Sequence, residues 1–126
     1  MITHVNPETL HTNPAFSQAT IAPAGRTLYI GGQNGTDSEG AIAGDATEQT
    51  KQALRNVLAI LADVGATQQD VVKLSIYLDQ SVDVEAGYAA SVEVWGLNPT
   101  AITVLKVASL GRPEALVEID AIAALP

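Results

Sequence analysis

The amino-acid sequence predicts an α+β domain in which two helices lie on one face of a mixed sheet. Three observations predict it. Five short runs have the residue types of β-strands, and two longer segments carry helical spacing or helix-forming composition. The order β-β-α-β-α-β-β leaves no room for a linker, an internal repeat or a second unit, so residues 1–126 are read as one domain. A chain of this size buries roughly two thirds of the surface its unfolded form exposes, enough for one core.

The elements follow in chain order. "SQATIAP" (17–23) and "TLYIGG" (27–32), separated by a turn containing Gly25, read as a hairpin. "QNGTDSEGAIAGD" (33–45) is dense in Gly, Asn, Asp and Ser and reads as an exposed loop. Asp45 followed by Glu48 has the form of a capping box. Behind it Ala53, Leu54, Val57, Leu58, Leu61 and Val64 make one apolar stripe, and Gly65 stands where a left-handed stop is needed. In "DVVKLSIYLD" (70–79), Val72, Leu74, Ile76 and Leu78 alternate with Lys73, Ser75 and Tyr77, predicting a strand with one buried face. The segment 81–96 is a second helix, with Ser81 as N-cap and Gly96 as stop. "AITVLKVA" and "ALVEIDAIAAL" are two further strands, joined by "SLGRPE" into a last hairpin.

With both helices on one side, the other face of the sheet needs a cover. The apolar residues Val104, Ile119 and Ile122 are expected to be buried there against other subunits, which predicts a homo-oligomer.

Composition removes several function classes. The formal charge is −8, and Arg26, Arg55, Arg112, Lys51, Lys73 and Lys106 are the only cations. Phosphate contacts dominate nucleic-acid binding, and six scattered cations make no basic stripe, so no nucleic-acid partner is expected. No apolar run approaches the roughly 20 residues of a membrane span. "MITHVNPETLH" has neither the basic start nor the apolar stretch of a secretory signal, so a cytoplasmic location is expected. Zero cysteines exclude disulfides, thiolate nucleophiles and cysteine zinc sites.

Few constellations carry chemistry. His4 and His11 have only Glu8 as a nearby carboxylate, so they read as surface residues of a loosely ordered terminus, and no metal site is expected. "GGQNG" (31–35) is not a dinucleotide or Walker loop, because no helix follows it directly, and no cofactor is expected. "VEID" (117–120) is more informative: alternation puts Glu118 and Asp120 on the face opposite Val117 and Ile119, in a strand apolar enough to be central. A carboxylate there must be paired or sit in a cleft.

Taken together, "FSQA" (16–19), "LYIGGQ" (28–33), "ILADVGA" (60–66), "VVKLSIYL" (71–78), "NPTAITV" (98–104) and "VEIDAIA" (117–123) resemble the Rid/YjgF family of reactive-intermediate deaminases, in order and over nearly the whole chain. The resemblance implies a chorismate-mutase-like α+β fold and a homotrimer with a barrel-like core and small-molecule clefts between subunits. In active members those clefts hydrolyse imines or enamines of small amino acids to keto acids and ammonia. It implies Glu118 as the group that orients the attacking water, with Gly31 and Gly32 at the pocket turn and Phe16 as the N-terminal aromatic. It also implies Val92 at a position often held by an asparagine.

Active members read proline-alanine-arginine-threonine ahead of the strand that follows the second helix, the arginine holding the substrate carboxylate through its planar fork. This chain reads Thr100, Ala101, Ile102, Thr103, and Ile102 is placed at the arginine position. Lys106 is about 13 Å further along the strand and makes no replacement. Whether Arg112 or Arg26 of a neighbouring subunit reaches the cleft is left open by the sequence. A cleft lined by Phe16, Ile102 and Val92, with Glu118 as its polar group, favours a neutral or cationic ligand over a small imino carboxylate. The alternative is a non-catalytic binding or regulatory module. A ribonuclease reading conflicts with the acidic charge. The last hairpin is one residue longer than the family's commonest form.

Overall fold

The long helix is fixed at both ends by its own sequence. The Asp45 side chain accepts from the Glu48 amide at 2.9 Å and starts α1 (Ala46–Asp63). Gly65, at φ +75°, ends it in the left-handed region that glycine enters at little cost. Between these stops Ala53, Leu54, Val57 and Leu61 are fully buried, while Leu58 lies half-buried and Val64 is exposed beyond the helix end.

The computed structural model describes all residues, Met1–Pro126. Its remaining elements are β1 (Thr3–Val5), β2 (Ala19–Ile21), β3 (Thr27–Gln33), a 3-10 turn at Gln68–Asp70, β4 (Val71–Asp79), α2 (Val84–Trp95), β5 (Ala101–Val107) and β6 (Val117–Ala124). Four strands form the main sheet in the order β3-β6-β4-β5, and β1-β2 form a separate ribbon. β6 is antiparallel to both its neighbours, whereas β4 and β5 run parallel with α2 as their connection.

Alternation along β6 divides the molecule. Val117, Ile119, Ala121 and Ala123 are buried toward the helices with Leu74, Leu78 and Ile30, while Glu118, Asp120 and Ile122 emerge on the opposite face. Both helices lie on one side of a mixed sheet, as the sequence predicts. α2 packs chiefly on α1, and Lys51 of α1 meets Glu93 of α2 at 2.9 Å. The Glu93 hydrogen bond holds the Lys51 ammonium above its ordinary pKa.

Several expectations are corrected. Segments 17–23 and 27–32 do not form a hairpin: β2 pairs with β1 and β3 with β6, because a strand as apolar as β6 needs a partner on both edges. β5 and β6 do not pair either, since β4 is inserted between them. The N-terminus is not loose. His4 lies in β1, and its Nδ1 is 2.6 Å from the Ser17 hydroxyl. Asp83, not Ser81, caps α2 by accepting from the Glu85 amide; Ser81 instead donates its hydroxyl and amide to Asp79, holding that carboxyl below its ordinary pKa. A register shift between Val71 and Lys73 turns Val71 fully into the core and leaves Val72 half-buried. Ile119 is covered by this chain's own helices, because it shares the parity of Val117; Val104 is exposed and Ile122 half-buried.

Gln33–Asp45 is less exposed than its composition suggests. Asn56 of α1 donates to the Asn34 and Thr36 carbonyls at 3.2 and 3.0 Å, and Gly35 is buried against α1. Buried Gln49 ties the same helix to the chain before β6, donating to the Gly44 and Glu114 carbonyls and accepting from the Leu116 amide.

A Cβ on Gly35 would lie 2.6 Å from the Gln49 carbonyl oxygen, a contact with helix backbone that cannot swing aside. Gly35→Ala is therefore expected to destabilise the fold by about 1–3 kcal/mol, read as a lower denaturant midpoint at unchanged slope.

Candidate functional site

The sheet face away from the helices is the chemically richer one. Register places Tyr77 opposite Glu118, Ser75 opposite Asp120 and Lys73 opposite Ile122, with Ala101, Thr103 and Leu105 alongside Lys73, Ser75 and Tyr77 on β5. At the Glu118 end a shallow pocket of about 310 Å³ is bounded by Tyr77, Asp120 and the loop after β5, including Ser109 and Gly111.

Glu118 is half-buried and positioned from one side. Asn34 Nδ2 donates to the Val117 carbonyl at 3.1 Å and to Glu118 Oε1 at 3.4 Å. Gly32 lies directly beneath the carboxylate: a Cβ there would be 2.7 Å from the Glu118 carboxyl carbon. Gly32 is thus required for close approach, not for an unusual backbone angle. Asn34, which the sequence reading leaves inside a loop, is the residue it missed, and its only signal is adjacency to Gly31-Gly32-Gln33, which form the irregular end of β3 and not the expected turn.

The proposed site residues fall into two places. Gly31, Gly32 and Glu118 belong to the open face. Phe16, Val92 and Ile102 instead line a cavity of about 270 Å³ on the helix side, between α2 and the β4–β5 edge, together with Leu54, Leu74 and Trp95. Ile102 lies beside Leu74, which is buried toward the helices, so it does not share a pocket with Glu118 in this chain. That cavity is almost entirely apolar, and the hydroxyls of Thr50 and Ser91 on its wall are bonded to the carbonyls of Ala46 and Tyr88.

Arg112 donates to Glu114 at 2.6 Å and to the Gly40 carbonyl, which occupies its guanidinium, while Arg26 precedes β3 at the end away from Gly32. Glu114's own backbone amide, then Arg112, hold that carboxyl below its ordinary pKa. No group of three His, Cys, Asp or Glu side chains is placed to share a metal ion.

Two helices on one face of a four-stranded mixed sheet, with a carboxylate buttressed by glycine at one end of the other face, define the class of protein: an α+β domain with an open sheet face. A family model described as endoribonuclease L-PSP matches residues 7–125. A RutC family protein of Pyrococcus abyssi is 34% identical over 110 residues, covering 86% of this chain and 84% of the relative. A human 2-iminobutanoate/2-iminopropanoate deaminase is 32% identical over 110 residues, covering 86% and 78%. Among solved structures, the Rid family protein YyfB of Yersinia pestis superposes with a TM-score of 0.88 at 34% identity, covering 98% of each chain. The chain belongs to the endoribonuclease L-PSP family, the Rid/YjgF proteins.

Strand parity also bears on the arginine position that the resemblance implies. Counted from Pro99, the family's proline-alanine-arginine spacing falls on Ala101, which lies on the open face, and not on Ile102. At either position the side chain is apolar.

Gly32→Ala is expected to push the Glu118 side chain out of its seat while lowering stability by less than about 1 kcal/mol, because the atoms it meets end a flexible side chain. A crystal structure of the variant, with thermal unfolding alongside, checks both parts.

Proposed function

We propose that the protein is a hydrolytic deaminase of small imines or enamines, working as a homotrimer with its clefts between subunits and with no arginine holding the substrate. Glu118 is the general base. Its carboxylate takes a proton from water as the oxygen adds to the C=N carbon, giving a carbinolamine. The proton is then returned to the nitrogen, the C–N bond breaks as Glu118 takes the remaining hydroxyl proton of the carbinolamine, and a carbonyl product and ammonia leave, that last proton passing to the ammonia or to solvent. The observation that carries this reading is the seating of Glu118: a carboxylate on a central strand, held by Asn34 above a glycine and opening into a pocket with Tyr77 and Asp120. The names of the human and other mammalian relatives point to the same reaction class. The apolar residues on the open face, among them exposed Tyr29 and Leu105, support its burial by further copies of the chain.

Positioned general bases contribute about 10²–10⁴-fold, so Glu118→Gln should lose at least about a hundredfold in turnover while the oligomer survives. Imines generated in place by an amino-acid oxidase, with ammonia release followed against the uncatalysed rate, supply the assay. Wild-type protein that accelerates hydrolysis of neither carboxylate-bearing nor neutral imines would defeat the reading.

A second reading, a non-catalytic small-ligand module, is favoured by the cavity beneath α2. Apart from the Tyr88 hydroxyl its walls are almost wholly apolar, so its ligand would be small and apolar. Benzene is expected to shift the Ile102 methyl resonances of the wild type and to leave those of Val92→Phe, which fills the space, unmoved.

A further inference from the structure

The open face bears one cation. Lys51 and Arg112 are committed to carboxylates, Arg55 is exposed on α1, Lys106 shares the helix-side parity of Ile102, and Arg26 lies before β3. Lys73 alone stands on the same face as Glu118, Asp120 and Tyr77.

Lys73 is directed toward β5. Its Nζ donates to the Thr103 hydroxyl at 2.6 Å, and it makes no ion pair. One of the three ammonium protons is used, leaving two for an incoming acceptor. Its neighbour on β5 is Ala101, whose side chain is only a methyl group. An arginine at 101 would project from this same spot. The positive charge that the open face of β5 lacks is therefore present one strand away, held toward β5 by a threonine.

We propose that Lys73, oriented by Thr103, is the carboxylate anchor of this protein, and that it acts with Glu118 of a second copy of the chain. The proposal rests on the hydrolytic reading above and names its substrate class: small 2-imino acids, or the tautomeric enamines, with an unblocked carboxylate. The second copy is needed because of distance. Lys73 and Tyr77 are four residues apart on β4, and Tyr77 faces Glu118 on β6, which separates the two backbones by about 14 Å. Their side chains then diverge, since Thr103 draws the ammonium toward β5 while Gly32 and Asn34 hold the carboxylate toward β3. A substrate of three or four carbons does not span that gap. Two open faces brought together do, with the β5 edge of one against the Gly32–Glu118 corner of the next, and a heterologous contact of this kind closes into a ring.

The lysine changes what the site accepts. A guanidinium grips a planar carboxylate with two parallel bonds, whereas an ammonium acts as a point charge with rotatable donors. Orientation of the substrate is consequently looser than an arginine would give, and side chains of varied size on the imino acid are tolerated.

The test is binding of 2-oxobutanoate, the stable carbonyl product of 2-iminobutanoate hydrolysis, by titration calorimetry to the intact oligomer. Loss of a charge-assisted hydrogen bond predicts affinity lowered about ten- to a hundredfold in Lys73→Met, with Lys73→Arg retaining most of it and the uncharged methyl ester insensitive to all variants. Thr103→Val, which leaves the charge but frees it, is expected to lie between. Affinity in Lys73→Met equal to the wild type, or no binding by the wild type, overturns the anchor. Co-expressed Lys73→Met and Glu118→Gln chains test the second copy: random mixing restores about a quarter of the clefts if the two residues come from different chains, and none if they come from the same one. If Glu118→Gln abolishes turnover and Lys73→Met leaves binding intact, the anchor fails and the hydrolytic reading stands. Lys73-dependent binding without turnover of any imine gives the reverse.

Discussion

The register of β6 is the constraint on which the rest of the structure depends. This strand sits between β3 and β4 and has to satisfy two demands at once. Its odd positions, Val117, Ile119, Ala121 and Ala123, fill the ground beneath the helices, and its even positions carry Glu118 and Asp120 to the other side. A slip of one residue would put two carboxylates under α1 and expose the core, so no nearby register competes. Gln49 reinforces this choice by fixing the backbone just before the strand from a buried position on α1. The side chain that seats Glu118 and the helix that covers Ile119 are thus consequences of one pairing.

The fold class was legible because α1 and β6 state their periods plainly. The stripe on α1 and the Val-Glu-Ile-Asp alternation each determine which face is inside, and a cap and a glycine bound the helix. Pairing partners were not legible. Adjacent runs with a turn between them look like hairpins, and nothing local announces that β4 will insert between β5 and β6, or that β2 prefers the N-terminal segment. The choice is made by burial of whole faces, a non-local quantity.

The site was legible in part for the same reason. Glu118 was visible as a charge in an apolar strand, and Gly32 as one of a glycine pair that proves to lie within β3 beside it. Ile102 was selected by counting along a motif, but the two faces of a strand differ by a single residue, and β5 shows Ala101 and Thr103 on the open side instead. Lys73 carries no distinguishing neighbours in sequence, and Asn34 only the glycine pair before it. Asn34 reaches Glu118 only because α1 holds its loop in place, and Lys73 is oriented by a threonine thirty positions later that lies beside it.

α2 rests on α1 and stands away from the β4–β5 edge, with the apolar cavity between. Unfilled volume of this kind is what hydrostatic pressure removes, and a helix lacking the sheet as a second contact surface is the first to open locally. The amides of α2 therefore belong to a less protected unit than those of α1, whose inner face is sealed against β6. The cavity thus sets most of α2 apart from the half of the molecule that holds the carboxylate, with Trp95 as its tie to the common core.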